Sequence, residues 1–453
     1  MRDSRVATTP QERLDAALEV AGWGSFHWRV LFGCGLGAMT LNGMINAVIL
    51  AEPRVAAEFG ITDWLTGALL STLFAGQALG NMVWGALSDR FGRRRFFHCW
   101  PLFAAAGMLL AAAFATSYLD LVACLFVAGF GLGGCVPVDS PLLNECTATS
   151  MRKRASVLPV AWPLGSALVG GLGWLVIPPH SCCQGAGCGC EPAANRGWRY
   201  AFFGFGLFAL GGYLFRLLVS RPHESPLFLM SRGRADEAFE IVRRVAKANG
   251  RAELERGGLK EGLLGLSIND GAEAQPVDEA RSAPDDRASA SCLAACAAGG
   301  RAHFLALAAV WACTNFGFSL FNSMSPFLIA QKVNGTANTH PFGTNSTIPA
   351  EAEAQMRSDY EYLFIYAAWG VLGSFVGSWL METRAGRLGS LKYSCLAVGV
   401  SLLGFYLVPA GGGPMGGAVR EVEITISTGA FAVLAQCMYT IKYQYGGRAL
   451  SDS

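Results

Sequence analysis

The sequence predicts an all-α membrane protein, with a six-span N-terminal bundle followed by an incomplete C-terminal bundle of about four spans. Of its 453 residues, 52% are hydrophobic and only 15% are charged, whereas a soluble protein usually carries roughly a quarter charged residues. The charges are concentrated in a few blocks that separate long, nearly uncharged segments. Such segments cross a bilayer as helices, because about 20 apolar residues span the hydrocarbon core and a helix satisfies its own backbone groups.

The apolar segments define ten candidate spans. In chain order they cover residues 28–50, 64–86, 98–117, 119–147, 156–178, 198–219, 302–330, 360–381, 391–410 and 422–441. They divide the chain into a cytoplasmic N-terminal segment (1–27), an N-terminal bundle (28–219), a cytoplasmic loop (220–300), a partial C-terminal bundle (302–441) and a tail (442–453). The fourth span should kink near Pro137 or Pro141, since proline removes a backbone donor. Residues 1–27 lack the apolar core of a cleaved signal peptide.

Basic residues in the short loops predict the orientation. They lie between spans two and three, four and five, and eight and nine, as Arg90, Arg93, Arg94, Arg95, Arg152, Lys153, Arg154, Arg384, Arg387 and Lys392. If the spans alternate, these loops and the amino terminus share one side, which the positive-inside rule makes cytoplasmic. The net charge of +2, without a basic tail, gives no reason to expect a nucleic-acid partner.

The opposite side receives two segments typical of a lumenal or extracellular space. They carry the disulfide candidates Cys182, Cys183, Cys188 and Cys190 and the glycosylation acceptors Asn334 and Asn345. Disulfides and N-glycans both belong to that compartment, so these signals agree with the orientation. Two alternatives stay open: each acceptor is a chance match, or the cysteines bind zinc. Their spacing does not suit a structural zinc site, and we predict no metal.

The predicted cytoplasmic loop has two parts. In "ADEAFEIVRRVAKANG", the side chains of Ala238, Ile241, Val242 and Val245 fall on one face, which predicts an amphipathic helix. The acidic stretch after it is rich in Pro, Ala and Ser, which predicts a disordered linker.

A charge cluster recurs at the matching place in each half of the chain. The first cluster comprises Gly85, Asp89, Arg90, Gly92, Arg93 and Arg94, and the second comprises Gly377, Glu382, Arg384, Gly386 and Arg387. Each cluster lies between the second and third span of its half. The repeat predicts a six-plus-six helical transporter with its substrate site at the interface of the halves.

These residues give the sequence a resemblance to the major facilitator superfamily. The run GxxxDRxGRR, complete from Gly85 to Arg94, is the most specific signature of that superfamily. The segment "RPHESPLFLM" resembles the corresponding segment of sugar porters. Among these proteins, the sequence looks closest to the branch of synaptic vesicle glycoprotein 2-related proteins and organic solute transporters. Members of that branch carry a Glu…Arg pair, which Glu145 and Arg152 match. The resemblance implies the major facilitator fold. It also implies that ion pairs in the two clusters latch the inner gate when the substrate site faces outward; the alternative is that the arginines only anchor the topology.

The sequence departs from that superfamily branch in three places. Leu125 stands where relatives carry an Arg in span four, and Asn42 lies roughly where relatives carry an acid in span one. Both departures weaken the expectation of proton coupling. The chain also ends after about ten spans, where two more would follow. We expect a truncated or mis-spliced gene model, with a genuine ten-span product as the alternative.

The candidate substrate residues are polar side chains within the spans. Asp139 is suited to binding a cationic group or a proton, since an intramembrane charge is a functional candidate; the alternative is a carboxylate in a wet vestibule with no substrate contact. The uncharged candidates are Asn42 and Asn46 in span one and Asn315 and Asn322 in span seven, paired on shared helix faces. Amides bind hydroxyls and carboxylates, but they equally join neighbouring helices.

No catalytic motif emerges from the sequence. "GFGLGG" satisfies GxGxxG but lies inside an apolar helix, where small residues permit close helix packing. We therefore expect neither an enzyme nor a cofactor. We expect a monomeric, lipid-embedded transporter of the plasma membrane or an endomembrane vesicle that moves a small polar solute (sugar, organic acid or organic cation), by facilitated diffusion or proton symport. The alternative is a transport-inactive truncated protein that acts as a binding or trafficking partner.

Overall fold

The computed structural model describes residues 10–181, 195–251, 309, 349–381, 386–407, 426 and 428–441, and within these ranges the regular elements are all helical. The first helices are α1 (Pro10–Ala21), α2 (Ser25–Phe59), α3 (Asp63–Phe91), α4 (Arg93–Phe114), α5 (Tyr118–Leu132), α6 (Ser140–Glu145) and α7 (Arg152–Ala155). They are followed by α8 (Ala161–Val176), α9 (Gly197–Phe215), α10 (Pro226–Ser231), α11 (Ala235–Ala248), α12 (Pro349–Leu380), α13 (Gly386–Leu407) and α14 (Thr428–Ile441).

Six helical segments in the described part of the chain are long and apolar enough to cross a membrane. They are Ser25–Phe59, Arg93–Phe114, Tyr118–Glu145, Thr149–Val176, Gly197–Ser220 and Leu363–Leu380. The prediction of an all-α membrane protein is confirmed. The predicted span 302–330 lies outside the described residues except at position 309.

Helix α2 is longer than the predicted first span, which ended at residue 50, and it continues through Pro53 to Phe59. Its last turns carry charges that an apolar pattern does not anticipate. One of these charges has partners on α9: Glu58 accepts hydrogen bonds of 2.6 Å from both the Trp198 ring nitrogen and Arg199. The helix ends at Gly60, whose positive φ of 59° suits a residue without a side chain.

The predicted irregularity of the fourth span is confirmed. Helix α5 begins with a capping box, in which Ser117 and Asp120 bond each other's backbone N–H groups. A π-helical turn, Cys135–Asp139, then separates α5 from α6. Pro137 lies inside this turn and lacks a backbone donor, which accounts for the break in the α-helical ladder. The turn brings Asp139 into the interior of the bundle, where its side chain is buried.

The glycines of "GFGLGG" act in helix packing, as predicted. Helix α5 packs against α3 so closely that a Cβ on Gly129 would collide with the backbone of Leu73, and one on Gly133 with the backbone of Asn81. From the other side, a Cβ on Gly80 would collide with the carbonyl of Phe130. Close backbone approach of this kind drives helix association in lipid, where burial of apolar side chains contributes little free energy because the lipid tails are equally apolar.

A group of helices, α1, α10 and α11, packs together at the end of the bundle that carries Arg93, called here the Arg93 end. On the predicted amphipathic face of α11, Ala238, Val242 and Val245 are fully buried and Ile241 is half-buried. The side chain of Asn249, at the end of α11, donates to the carbonyls of Ala21 and Gly22 and accepts from the N–H of Phe26. These bonds hold the junction of α1 and α2 against α11.

Candidate functional site

The first charge cluster is organised around the turn between α3 and α4. Gly92 joins the two helices with a φ of 96°, a conformation that favours glycine, and a Cβ there would collide with the carboxylate of Glu224. Oε1 of Glu224 accepts from the N–H of Arg93 at 2.7 Å and from that of Arg94 at 3.3 Å. Glu224 therefore caps the N-terminus of α4, where a negative charge also complements the helix dipole.

The guanidinium of Arg93 joins three elements of the Arg93 end. Its Nη2 atom lies 2.9 Å from Oε1 of Glu145, at the end of α6, and 3.2 Å from Oδ1 of Asp89 in α3. Its Nη1 atom donates to the carbonyl of Pro137 at 3.4 Å. The side chains of Arg93 and Glu145 are each 15% exposed, whereas that of Asp89 is 68% exposed. The pair with Glu145 is thus the more shielded, and stronger, of the two.

The remaining residues of the two clusters have separate positions. Arg90 is exposed and lies over the Phe91 ring, while Arg94 is exposed at the start of α4. Gly85 lies 3.6 Å, measured from an ideal Cβ, from the Pro137 side chain, which is ordinary contact, and Arg152 begins α7. Gly386 and Arg387 lie in the first turn of α13, and Glu382 and Arg384 lie outside the described residues. A gating role for either cluster stays a prediction.

Asp139 does not lie alone inside the bundle, because it forms a buried ion pair with Arg216. The Nη2 atom of Arg216 lies 2.5 Å from Oδ2 of Asp139, and the Trp100 ring nitrogen donates to Oδ1 at 3.0 Å. The side chains of Arg216 and Asp139 are 0% and 3% exposed. Arg216 also donates to the carbonyls of Gly33 and Phe97, so the pair ties the π-helical turn after α5 to α2, α4 and the end of α9.

Aromatic rings and a glycine complete the Arg216 environment. The guanidinium lies 4.2 Å from the centroid of the Phe97 ring and 4.6 Å from that of Trp100, within range of cation–π attraction. A Cβ on Gly37 would collide with the guanidinium, so α2 approaches only because that position is glycine. Since the carboxylate of Asp139 is engaged by Arg216, contact with a solute would require the pair to separate. Substrate binding by Asp139 stays a prediction.

Asn42 and Asn46 share one face of α2, as the spacing predicts, and this face meets α8. The amide nitrogen of Asn42 donates to Oγ of Ser166 at 2.6 Å and to the carbonyl of Trp162 at 2.8 Å. The amide nitrogen of Asn46 donates to Oγ of Ser166 at 3.1 Å and to the carbonyl of Asn42 at 2.8 Å. Both side chains therefore join the helices in this conformation, and their contact with a solute stays a prediction.

Helix α8 also contacts the C-terminal helices. The rings of Trp162 and Tyr439 meet edge to face at 6.2 Å, and the amide of Gln436 donates to the carbonyl of Pro159 at 3.4 Å. Trp162, whose carbonyl binds Asn42, thus lies next to α14. The other predicted sites fall outside the described residues: Asn315, Asn322, Asn334, Asn345, Cys182, Cys183, Cys188 and Cys190.

Sequence reasoning missed four polar residues of these sites. Arg216 lies near the end of the predicted span 198–219. An arginine among apolar residues requires an acidic partner, and this signal points to Asp139. Glu224 lies within the "PHESP" segment, but its capping of α4 has no local signal. Ser166 is one of many small residues in α8. Glu52 lies beyond the predicted first span but within α2, and its buried Oε1 has no hydrogen-bond partner among the described residues.

Comparisons with known proteins agree with this architecture. A model of the Major Facilitator Superfamily matches residues 31–449. The MFS siderochrome iron transporter 1 of Ceriporiopsis subvermispora is 29% identical over 406 residues, which cover 85% of this chain and 71% of that protein. The synaptic vesicle glycoprotein 2A of Homo sapiens is 26% identical over 250 residues, which cover 53% of this chain and 32% of that protein.

Among solved structures, the xylose transporter XylE from E. coli, in a partially occluded inward open conformation, superposes with a TM-score of 0.59. The match covers 94% of this chain and 88% of that chain at 15% sequence identity. At this identity the likeness shows the fold alone. The resemblance to sugar porters and to synaptic vesicle glycoprotein 2 is confirmed. With the family model matching nearly the whole chain and the helical fold in agreement, this protein belongs to the major facilitator superfamily of membrane transporters.

Proposed function

We propose that this protein moves a small polar organic solute across its membrane by alternating access, and that the Arg93 cluster is a gate. The observation that carries the proposal is the set of ion pairs from Arg93 to Glu145 and Asp89, which joins α3, α4 and α6 at one end of the bundle. A planar guanidinium that pairs two carboxylates suits a contact that forms and breaks. Since the Asp89 side chain is 68% exposed, water can replace that partner of Arg93 at little cost.

The Arg93 end faces the cytoplasm in this proposal, and the amino terminus lies on the same side. Support comes from the basic residues of the α3–α4 turn and of α7, which the positive-inside rule assigns to the cytoplasm. The protein then resides in the plasma membrane or an endomembrane vesicle, and it works as a monomer. Residues 28–219 and 302–441 supply the two halves of the transport unit.

The proposed solute is a neutral molecule with several hydroxyl groups, such as a sugar. Asn42 and Asn46 offer amides to its hydroxyls, and Asn42 bonds the backbone carbonyl of Trp162, whose ring meets that of Tyr439. An organic cation is less well served, because Asp139 already pairs with Arg216. An amide both donates and accepts, so it matches a hydroxyl group, which does the same.

Proton coupling, if present, is assigned to Glu52. Its Oε1 atom is buried and unpartnered among the described residues, and α2 is also the helix that carries Asn42 and Asn46. A carboxyl group without a fixed partner can take up and release a proton as its surroundings change. Glu52→Gln would then abolish any acceleration of uptake by an inwardly directed proton gradient and leave uptake without a gradient intact.

Reconstituted proteoliposomes test the proposal. The wild-type chain is assayed for uptake of labelled sugars, organic acids and organic cations, beside Asn46→Ala and the control Asn81→Ala, whose side chain is exposed on α3. We expect saturable uptake of a sugar, and a KM about fivefold higher for Asn46→Ala, which loses a hydrogen bond of about 1 kcal/mol. If no class is taken up above empty liposomes, transport is refuted for this chain, and a role as a binding or trafficking partner replaces it.

A further inference from the structure

A cavity at the Arg93 end adjoins the first charge cluster, with which it shares Arg94, but it includes neither Arg93 nor the carboxylates that pair with Arg93. It has a volume of about 830 Å³ and lies between the start of α4, the turn after α9, and helices α10 and α11. Its basic lining residues are Arg94, Arg95, His98, Arg221, His223, Arg234 and Arg244. A volume of this size holds a ligand larger than a single phosphate ion.

The acidic residues of the cavity wall are already engaged. Glu224 caps α4. Glu237 binds Arg234 through two hydrogen bonds of 2.6 Å, and Glu240 pairs with Arg244 at 3.3 Å. Arg94, Arg95 and Arg221 have no carboxylate partner among the described residues, and the buried Nδ1 atom of His98 has no hydrogen-bond partner there. The cavity therefore presents unpaired positive charge and an unpaired ring nitrogen.

Arg221 adopts a conformation that is costly for a residue with a side chain. Its φ of 38° and ψ of 57° are left-handed, and it is the one non-glycine residue with positive φ in the described part of the chain. Such a residue costs on the order of 1–3 kcal/mol, and cases of this kind concentrate at functional sites. The turn that imposes this cost ends the π-helical segment Arg216–Ser220 and leaves Arg221 in the cavity wall.

Exposed apolar side chains adjoin the basic lining. Leu217 and Phe91 line the cavity and are 44% and 51% exposed, and Leu218, next to Leu217 in the chain, is 59% exposed. Leu217 and Leu218 lie at the end of the membrane-crossing segment Gly197–Ser220, so the cavity opens where hydrocarbon gives way to headgroups. Basic pockets at this depth attract anionic lipid headgroups.

We propose that this cavity binds the phosphate groups of an anionic phospholipid, with the headgroup against Arg94, Arg95 and Arg221 and the acyl chains against Leu217 and Leu218. Planar guanidinium groups bind phosphate oxygens through paired hydrogen bonds, which favours a headgroup with net negative charge over a zwitterionic one, whose single phosphate is balanced by its own cation. A headgroup with several phosphates, such as that of a phosphoinositide, matches both the positive charge of the cavity and its volume. The proposal does not depend on the solute or on transport.

The test measures binding of a fluorescent short-chain phosphatidylinositol 4,5-bisphosphate to the purified full chain in detergent micelles, by anisotropy. The variant Arg95→Gln/Arg221→Gln removes two lining charges outside the gate, and the matched control is Arg243→Gln, a substitution on α11 outside the cavity lining. We expect saturable binding, about 30-fold weaker for the double variant, because each arginine near the surface contributes about 1 kcal/mol. Arg243→Gln should bind as the wild type does.

The competing soluble probe is inositol 1,4,5-trisphosphate, which carries phosphates but no acyl chains. Weak competition by this probe supports a lipid site, whereas equal affinity for it and for the lipid would overturn the lipid assignment in favour of a soluble anion. The assignment of the site would be overturned if the double variant and the Arg243→Gln control lost the same amount of lipid affinity. It would also be overturned if the double variant bound the lipid as tightly as the wild type does. Melting temperatures of all three proteins establish that each is folded.

Discussion

The buried pair of Asp139 and Arg216 gives the sharpest prediction about stability. Asp139→Asn removes one charge and leaves the other buried, with Arg216 fully shielded from solvent. Two unit charges about 4 Å apart attract by about 4 kcal/mol at the effective dielectric constant of protein sites. Breaking a buried pair by removing one partner costs about 3–5 kcal/mol for the same reason. Asp139→Asn should therefore lower the free energy of unfolding by about 3–5 kcal/mol.

The assay is equilibrium unfolding of the purified chain in mixed micelles, followed by tryptophan fluorescence. Arg243→Gln is the control, because it breaks an ion pair whose side chains are 48% and 44% exposed and that should contribute less than about 1 kcal/mol. The double variant Asp139→Asn/Arg216→Gln carries neither charge, so it should lose less than the sum of the two single variants. If Asp139→Asn does not accumulate as folded protein, accumulation of the folded double variant shows equally that the unpaired buried charge causes the loss of stability. Equal effects of Asp139→Asn and Arg243→Gln, together with additivity in the double variant, would refute the reasoning.

Three further predictions concern the Arg93 end. Gly92→Ala should destabilise the chain by about 1–3 kcal/mol in the same unfolding assay, because it strains a φ of 96° and meets the Glu224 carboxylate; an unchanged midpoint would contradict this. Glu224→Gln should cost about 1 kcal/mol by weakening the cap of α4, and no loss would mean that the cap is dispensable. Burial, with the charges of Arg244, Arg94 and Arg29, lowers the pKa of His223 below its usual 6.5. Because the unfolded chain then binds the proton more readily, this stability is present above about pH 6.5 and lost as the pH falls, so His223→Gln should flatten the dependence of melting temperature on pH.

The presence of helices could be predicted from the sequence, because a helix is how these apolar segments satisfy their backbone hydrogen-bonding groups in lipid. Close helix packing at "GFGLGG" also followed from the glycines, although the structure alone identifies α3 as the partner of Gly129 and Gly133. The end of α2 could not be predicted, because Glu58, a charge after residue 50, is stabilised by Trp198 and Arg199 on a helix distant in the sequence.

Partners within the candidate sites were less predictable than the residues themselves. The sequence singles out Asp139 as an intramembrane acid, but its pairing depends on the π-helical turn that orients it and on Arg216, 77 residues away. Likewise, the spacing of Asn42 and Asn46 predicts their shared helix face. Their common partner Ser166 cannot be predicted, because that contact depends on α2 crossing α8 at this position. Long-range contacts of this kind depend on helix register and crossing, which periodicity does not specify.

The proposed gate is tested most directly by the initial rate of solute uptake into proteoliposomes by Arg93→Gln. This variant loses the ion pairs to Glu145 and Asp89 but keeps the backbone N–H that Glu224 binds. With equal amounts of inserted protein, we expect a rate at least about tenfold below the wild type, which corresponds to about 1.4 kcal/mol in the barrier to cycling. A rate equal to that of the wild type would contradict the assignment of the Arg93 cluster as the gate.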